Sequence, residues 1–459
     1  MNVDPDTNWQ RWQPTADEPW DLRRVWHLWR RAGFGATWGE LQRDLWDGVD
    51  ASVDRMLTGE SRSDGIPDGF DEMADVIGGA AVAARHPERL KAWWLYRMLF
   101  SPDPLGERLA LMWHNHFATS NAKVDDVVLM HQQNEIFRAH GRSTFDELLP
   151  RVVKHPALLV WLDAEANRKD HPNENLAREL MELFTLGVGN YSESDIKEAA
   201  RALTGWTVVN GQFREFSQYH DEGTKTILGH MGNTAGDDLL DILLSHPATA
   251  RRIAWRICDA FMGEDAVSAV ALDELAEGLH NRGLDLGWAI ETVLRSRAFF
   301  AEANIGNRVL GPIEFTIGAV RALELSDPPP STFLLAEQVS RLGQAPFYPP
   351  NVFGWDGGRT WINARSLVGR GNLAVALVEG RLRSPEHPFD ALDLARRHKV
   401  PDNLEALCGF FLQLLTGAGA DAQFADSIIA VATAEADADD RVARRMVSAI
   451  LGSPRAQIG

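Results

Sequence analysis

The chain has 459 residues, 45% of them hydrophobic, and a formal net charge of −19 because 65 acidic side chains outnumber 46 basic ones. This composition is typical of a globular protein, and the length fits one large helical domain with a smaller lobe as well as it fits two domains. Such an acidic surface repels nucleic acid and anionic membranes, so we expect neither as a partner.

The N-terminus, residues 1–20, is polar and acidic and has no basic start followed by an apolar core, so it predicts an N-terminal extension and no secretory signal. No stretch approaches the ~18 uninterrupted apolar residues of a membrane span. The sequence therefore predicts a cytoplasmic protein. The two cysteines, Cys258 and Cys408, lie within apolar helical patterns and are predicted to be buried thiols.

A helical period dominates the first half of the chain. Thr37, followed three residues later by Glu40, forms the signature of a capping box, and Ser192 with Asp195 forms another helix start. Residues 59–70 have the composition of a loop. The predicted helices cover 21–32, 38–47, 71–84, 87–100, 104–117, 124–140, 144–154, 156–163, 174–185 and 193–204.

The predicted helix over 174–185 places polar groups where a purely structural helix does not need them. At about 100° per residue, Asn175, Glu179 and Glu182 fall on one ridge beside a buried apolar stripe. A carboxylate pair at that position is partly desolvated, so its pKa should rise or it should bind a cation. The alternative is a structural ion-pair network, because Glu174 and Arg178 are i, i+4 partners of the favourable order.

Two histidines lie at the end of the helix predicted over 104–117. On a helix, His116 shares a face with apolar residues, whereas His114 points about 200° away, so the pair cannot chelate one metal ion there. The structural interpretation of His116 is a hydrogen-bonded core histidine. The functional interpretation is a metal ligand or catalytic base, in line with the polar run at 119–121.

The pattern changes over 206–229, where β-branched and aromatic residues alternate with polar ones around Asn210-Gly211, the strongest hairpin turn signal. We predict a small inserted β-hairpin near 206–229. His220 and Asp221 come after it and could offer an imidazole and a carboxylate to one cavity, with Lys225 adding a cation. A simple turn formed by Asp221 explains the same residues.

The second half of the chain is again helical, up to a C-terminal lobe over 376–459. Residues 343–363 interrupt it as an irregular segment rich in Gly, Pro and Trp. A loop this apolar should pack over the core or line a cleft, and Trp355, Trp361 and Asn363 are the candidate contacts for a sugar ring. The further predicted helices are 237–245, 247–262, 267–281, 286–296, 311–324 and 332–342.

Several common catalytic motifs are absent. The chain has no GxGxxG after a strand, no GxxxxGK[ST], no HExxH and no GxSxG. These absences argue against a redox dinucleotide enzyme, a nucleoside triphosphatase, a zincin and a serine hydrolase.

Several long motifs in order resemble a large bacterial family, domain of unknown function 1800. They are HLWRRAGFGAT (27–37), WHNHFATSNAKV (113–124) and the segments 167–206, 220–229, 236–257 and 346–363. The resemblance implies a mainly helical fold. Many members look exported and are encoded beside proteins similar to the alkaline phosphatase and sulfatase superfamily, a pattern from which this chain departs because it shows no export signal. The family motifs include His114, His116, Asn175, Glu179, Glu182, His220 and Asp221.

The fold prediction is mainly α: a domain over 21–375 that carries the motifs and the inserted hairpin, then the C-terminal helical lobe. The functional hypothesis is a hydrolase, with glycans as the first candidate substrate, that uses carboxylates and histidine with or without one divalent metal ion. The alternative is a non-enzymatic scaffold that binds a protein such as a phosphatase/sulfatase-like partner. The hypothesis assigns Glu179, Glu182 and His116 to catalysis, Asn175, Arg178, Trp355, Trp361 and Asn363 to substrate binding, and His116, Glu179, Glu182, His220 and Asp221 to a metal.

Overall fold

A computed structural model describes residues 8–62, 65–383, 385–417, 419, 421–434 and 438–459, and these are mainly α-helical, as predicted. Residues 1–7 of the predicted extension and 63–64 of the predicted loop lie outside the described residues. The α-helices are α1 Leu22–Ala32, α2 Trp38–Asp47, α3 Val49–Thr58, α4 Phe70–Ala83, α5 Pro87–Phe100, α6 Pro104–His116, α7 Asn121–Val124, α8 Val127–His140, α9 Phe145–Val153, α10 Pro156–Trp161, α11 Asn175–Glu179, α12 Glu193–Ala202, α13 Gly236–Ser245, α14 Pro247–Met262, α15 Ala269–His280, α16 Leu286–Arg295, α17 Pro312–Ala322, α18 Thr332–Arg341, α19 Ala364–Val378, α20 Ala391–Arg397, α21 Leu404–Thr416, α22 Ala422–Thr433 and α23 Asp439–Gly452.

Local capping chemistry explains where most of these helices begin. Thr37 accepts a hydrogen bond from the Glu40 N–H while the Glu40 carboxylate accepts from the Thr37 N–H. At the second predicted helix start, Ser192 and Asp195 form a capping box in the same way. The sequence analysis missed α3, which starts directly after α2 because Gly48 adopts a φ of 89° and turns the chain between them. The helix predicted over 124–140 begins later, at Val127 of α8, because Asp125, with a φ of 48°, ends the short α7.

Two antiparallel hairpins lie after α12 in the chain. Strand β1 (Trp206–Val209) pairs with β2 (Gln212–Glu215) across the predicted Asn210-Gly211 turn, whose residues both have positive φ. Strand β3 (Lys225–Ile227) pairs with β4 (His230–Gly232), so Ile227 lies opposite His230. The inserted hairpin is confirmed, and the structure adds a second one.

The core is one continuous apolar cluster that runs through the described helices. Its largest fully buried side chains include Trp29, Trp93, Trp94, Trp113 and Trp206, while Cys258 and Cys408 are buried free thiols, as predicted. The predicted C-terminal lobe packs on the same core, with α21 against α1 and α17, and α23 against α19. Within the described chain, no helix has both the length and the apolar character to cross a membrane.

The irregular segment 343–363 lies against the end of α6. The backbone N–H of Trp355 donates to Asn115 Oδ1 at 2.7 Å, and the backbone N–H of Asn121 donates to the Phe347 carbonyl at 2.8 Å. Gly354 has a φ of 86°, and a side chain there would overlap Asn115. A glycine is therefore required for the close approach of this segment to α6.

Candidate functional site

The helix predicted over 174–185 is not a regular α-helix. After α11 the chain forms a π-helix over Leu180–Thr185, in which backbone bonds span five residues rather than four. The Leu186 N–H donates to the Met181 carbonyl at 2.9 Å, and the Thr185 hydroxyl donates to the Leu180 carbonyl at 2.7 Å. The prediction of regular helix is therefore wrong over its second half, and the ridge drawn at 100° per residue does not extend unchanged through Glu182.

The two glutamates of this segment have different environments. Glu182 Oε2 accepts a hydrogen bond from the Tyr191 hydroxyl at 2.7 Å. Burial raises the pKa of Glu179 to about 7, and the negative charge of Glu182 acts in the same direction, while Arg178 opposes it. A carboxyl with such a pKa exchanges its proton near neutral pH.

The two predicted substrate contacts on α11 belong to a surface network. Arg178 bonds to Glu174 at 2.9 Å and to both carboxylate oxygens of Glu193 at 2.9 Å, and these hydrogen bonds raise its pKa. Asn175 is exposed, and its side-chain amide donates to Asp163 at 3.4 Å. The structural ion-pair alternative therefore describes the contacts of Arg178.

His220 and Asp221 are held by the connection between the two hairpins. The Arg201 guanidinium hydrogen-bonds both oxygens of Asp221, at 2.7 and 3.1 Å, and holds its pKa at about 2. His220 Nδ1 lies 2.9 Å from the Thr204 carbonyl. Lys225 donates to the Asp221 and Gly223 carbonyls, so it closes this turn.

The structure does not assemble the five predicted metal ligands. Within the described residues, no group of three or more His, Cys, Asp or Glu side chains is placed to hold one metal ion. Glu179 ends α11 and Glu182 lies in the π-helix, whereas His116 lies on α6 and His220 with Asp221 between the hairpins.

His116 caps the end of the π-helix. Its Nε2 lies 3.1 Å from the Phe184 carbonyl, and because a carbonyl only accepts, Nε2 carries the proton and Nδ1 the lone pair. Burial, together with the nearby positive charges of Arg256 and Arg252, lowers the pKa of His116 well below its ordinary value. His116 is therefore a neutral imidazole at pH 7.

His114 points away from His116, as predicted for a helix. Its ring lies among aromatic side chains, and burial lowers its pKa to about 3. Neither of its ring nitrogens has a hydrogen-bond partner in the described part of the protein. The aromatic neighbours are Trp94, Phe137, Phe347 and Trp355.

A cleft of about 380 Å³ lies between α6, α14 and the segment 343–363, and we call it the central cleft. Three predicted site residues line it: His116, Trp355 and Trp361. The prediction that the Trp-rich segment lines a cleft is confirmed. Asn363 instead caps α19 by accepting from the Ser366 N–H at 3.0 Å. The residues lining the cleft include neither Glu179 nor Glu182.

One group of charges in the cleft is closed on itself. Arg308 bonds to Glu314 at 2.6 Å, Arg108 pairs with the same oxygen, and the Gly311 N–H donates to the second oxygen at 2.6 Å. Burial alone would raise the pKa of Glu314, but the charges of Arg108 and Arg308 lower it to about 2. We call Arg108, Glu314 and Arg308 the closed triad.

A second pair of arginines is less well compensated. Arg252 and Arg256 lie one turn apart on α14 and both line the cleft. The Arg252 Nε donates to the Leu183 carbonyl at 3.1 Å, and its guanidinium lies 4.7 Å from the Trp255 ring centre. Burial and the charge of Arg256 lower the pKa of Arg252 to about 10. We call Arg252 and Arg256 the open pair.

Two further carboxylates line the cleft. Glu264 comes just after the end of α14, and Asp356 comes from the irregular segment two residues before Gly358, where a side chain would overlap Glu264. Neither acid forms an ion pair within the residues that the structure describes. Because α14 rises about 1.5 Å per residue, its end at Met262 lies about 15 Å along the axis from Arg252. Glu264 therefore lies well away from Arg252 along the cleft, although Arg308 of the closed triad packs against the neighbouring Gly263.

Sequence reasoning did not single out the open pair or these two carboxylates. A signal for the arginines is present, because they recur at i, i+4 within the otherwise apolar RRIAWRICDAFM. Asp356 stands between a tryptophan and two glycines. Nothing local indicates that these segments, about a hundred residues apart, meet in one cleft.

Comparison with known proteins identifies the family. A family model described as a protein of unknown function, DUF1800, matches residues 27–458. The chain belongs to the DUF1800 family. The match begins within α1 and includes every residue that lines the central cleft. No curated protein and no solved structure matches the chain.

Proposed function

We propose that the central cleft binds a small glycan-like substrate and that the protein hydrolyses it with Glu264 and Asp356. The observation that carries the proposal is the presence of two carboxylates without ion-pair partners, among the described residues, in the same cleft as partly exposed tryptophans. Glycoside hydrolysis commonly uses two carboxyl groups that flank the scissile bond. No other residue type is needed for that reaction.

The two carboxylates would have different catalytic roles. One protonates the oxygen of the leaving group, and the other activates water or attacks the anomeric carbon. No step is assigned to a metal ion, because the described residues contain no group of ligand side chains that fits one.

The remaining lining residues suit a sugar. Trp255 and Trp361 are partly exposed and offer apolar ring faces, while Asn115 and Gln344 offer amide donors and acceptors. His116 is neutral and has its lone pair on Nδ1, so it can accept a hydrogen bond from a hydroxyl group. The wall of the cleft therefore combines apolar ring faces with many charged and amide groups, which suits a polar ligand.

Glu179 and Glu182 are the second candidate for the catalytic carboxyl pair. The pKa of Glu179, about 7, is the observation that favours them, because a general acid or base works best when its pKa lies near the working pH. Tyr191 fixes the orientation of Glu182 by its hydrogen bond.

A hydrolase screen on the full chain tests both assignments. The substrates are 4-nitrophenyl glycosides, assayed between pH 5 and pH 8. With any substrate that is turned over, we expect Glu264→Gln and Asp356→Asn each to lower kcat/KM by about 100-fold or more. The matched control is Asp273→Asn, which should leave kcat/KM unchanged. Asp273 is an exposed acid on α15 and is paired with Arg251 of the neighbouring α14.

The result can contradict the proposal in two ways. If Glu179→Gln and Glu182→Gln abolish turnover while Glu264→Gln retains it, the second carboxyl pair is catalytic. If no glycoside is turned over, hydrolysis of this substrate class is wrong.

A partner-binding role is the alternative function. A groove beside the cleft is lined by Leu186, Val188, Pro247, Arg251 and Trp255, and Val188 is 77% exposed. Exposed apolar side chains around a groove are typical of a protein contact. Co-elution with a phosphatase/sulfatase-like protein, lost in Val188→Asp, would favour this role, and turnover that survives Val188→Asp would favour the enzyme.

A further inference from the structure

We infer that the ligand of the central cleft carries an anionic group, a carboxylate, sulfate or phosphate, and that Arg252 and Arg256 bind it. The inference deepens the proposed function and rests on it only in taking the central cleft as the substrate site. It names the class of substrate: an acidic sugar or a sugar ester rather than a neutral glycan.

The positions of the two arginines make joint binding possible. Residues four apart on an α-helix lie on the same face, so Arg252 and Arg256 project from one side of α14. Both line the cleft together with Trp255 and His116. A single anion can therefore be reached by two guanidinium groups.

Charge compensation separates this pair from the other arginines of the cleft. Arg108 and Arg308 share the carboxylate of Glu314 at hydrogen-bond distance. Arg256 has only Asp259, with 3.7 Å between Nη1 and Oδ2, and within the described residues Arg252 has no carboxylate at ion-pair distance. Two adjacent like charges in a partly buried site are costly unless an anion joins them.

The hydrogen-bonding capacity of the pair is also largely unused. A guanidinium has five N–H donors. Arg252 uses its Nε toward the Leu183 carbonyl, which leaves the donors of both terminal nitrogens. The buried Nε of Arg256 has no partner among the described residues. These donors match the fork geometry with which arginine binds carboxylate and phosphate oxygens.

Arg252 is held in place before any ligand binds. The Leu183 carbonyl fixes the Arg252 Nε, and the Trp255 ring packs against its guanidinium. Fixing the side chain in advance reduces the entropy lost on binding. Glu264 and Asp356 line the same cleft and carry negative charge, so we expect the anionic group of the ligand to lie toward Arg252 rather than toward these carboxylates.

The net charge of the whole chain strengthens the inference. A protein with a net charge of −19 does not concentrate anions by its overall field. Measurable binding of an anion must therefore come from a local group of cations.

Isothermal titration with four probes tests the inference: inorganic phosphate, inorganic sulfate, D-glucuronate and neutral D-glucose. For the full chain we expect at least one anion to bind at least tenfold more tightly than glucose, with a Kd that rises with NaCl concentration. Arg252→Met and Arg256→Met should each weaken that anion at least tenfold. Arg251→Met is the control, because Arg251 is exposed, is paired with Asp273 and lies outside the central cleft; it should stay within twofold.

Each outcome decides the question. Equal binding of the anions and glucose, or anion binding that survives both substitutions, overturns the inference. Arg256→Lys keeps the charge but not the fork, so partial loss in this variant supports the inference even where Arg256→Met fails to fold. The probe that binds most tightly identifies the source of the charge. The titration measures binding and not turnover, so the two proposals can fail separately. Anion binding without hydrolysis contradicts the proposed function alone. Hydrolysis of neutral glycosides without anion binding contradicts this inference alone.

Discussion

The closed triad and the open pair place four arginines around one cleft, yet their surroundings differ. In the triad, one buried carboxylate is shared by Arg108 and Arg308 and also accepts a backbone N–H. In the open pair, Arg256 has a single carboxylate 3.7 Å away and Arg252 bonds to a carbonyl. An arginine paired with a buried carboxylate holds the fold together, whereas one without such a partner on a cavity wall remains available to a ligand.

The largest effect that tests this comparison is expected from Glu314→Gln. It leaves the buried guanidiniums of Arg108 and Arg308 without a counter-charge, which should lower the free energy of unfolding by about 3–5 kcal/mol. Urea unfolding measures the change, and Asp273→Asn, at an exposed ion pair, should cost less than about 1 kcal/mol. Equal losses in the two variants would contradict the structural role of the triad.

The carboxylate of Glu314 should also make the stability of the protein depend on pH in the acid range. Its folded pKa of about 2 lies below the ordinary value of 4.5, so its contribution to stability is present above pH 4.5 and is lost as the pH falls toward 2. The contribution is about 3 kcal/mol. Urea unfolding across this range should show a shallower acid limb for Glu314→Gln, and an unchanged limb would show that other carboxyls control acid unfolding.

Glu179 and Glu182 are an acidic pair, whereas Arg252 and Arg256 are a basic one. Glu179 should change stability with pH in the opposite direction to Glu314. The folded pKa of Glu179, about 7, lies above 4.5, so the folded state binds more protons between these values and stability falls as the pH rises through them. Because Glu179 is only partly buried, we expect a fall of about 1 kcal/mol, removed in Glu179→Gln. NMR titration of the carboxyl carbon should also show a lower pKa for Glu179 in Glu182→Gln.

The smallest change in stability is expected from the open pair itself. Arg256→Met removes one of two neighbouring positive charges and breaks only one long ion pair, so the free energy of unfolding should change by less than about 1 kcal/mol in either direction. Arg308→Met is the matched comparison and should cost about 3 kcal/mol or more, because Glu314 loses a hydrogen-bonded partner. A loss in Arg256→Met as large as in Arg308→Met would make Arg256 a structural residue.

Features with a local cause could be predicted from the sequence. The capping box of Thr37 and Glu40 and the turn at Asn210-Gly211 depend on residues within a few positions, and both are found. His116, Trp355 and Trp361 were proposed as site residues from their local context, and the structure places all three on one cleft, without Glu179 and Glu182.

Features with a tertiary cause could not be predicted. The π-helix ends where the Leu183 carbonyl accepts from Arg252 and the Phe184 carbonyl lies beside His116, and neither partner is near in sequence. The open pair, Glu264 and Asp356 meet only because α14 packs beside the irregular segment. A hydrophobic pattern with the helical period of 3.6 residues does not indicate which distant segments pack against each other.

The wide turn at Leu180–Thr185 makes this part of the chain sensitive to length as well as to composition. Regular α-helix spans four residues per hydrogen bond and the π-helix spans five, so deleting one residue between 180 and 185 would restore the usual ladder. That deletion would also swing α11 by about 100° relative to the residues beyond Thr185. Deleting Leu180 or Met181 in particular would leave Glu179 and Glu182 two positions apart in the chain, about 200° around the helix instead of on one face.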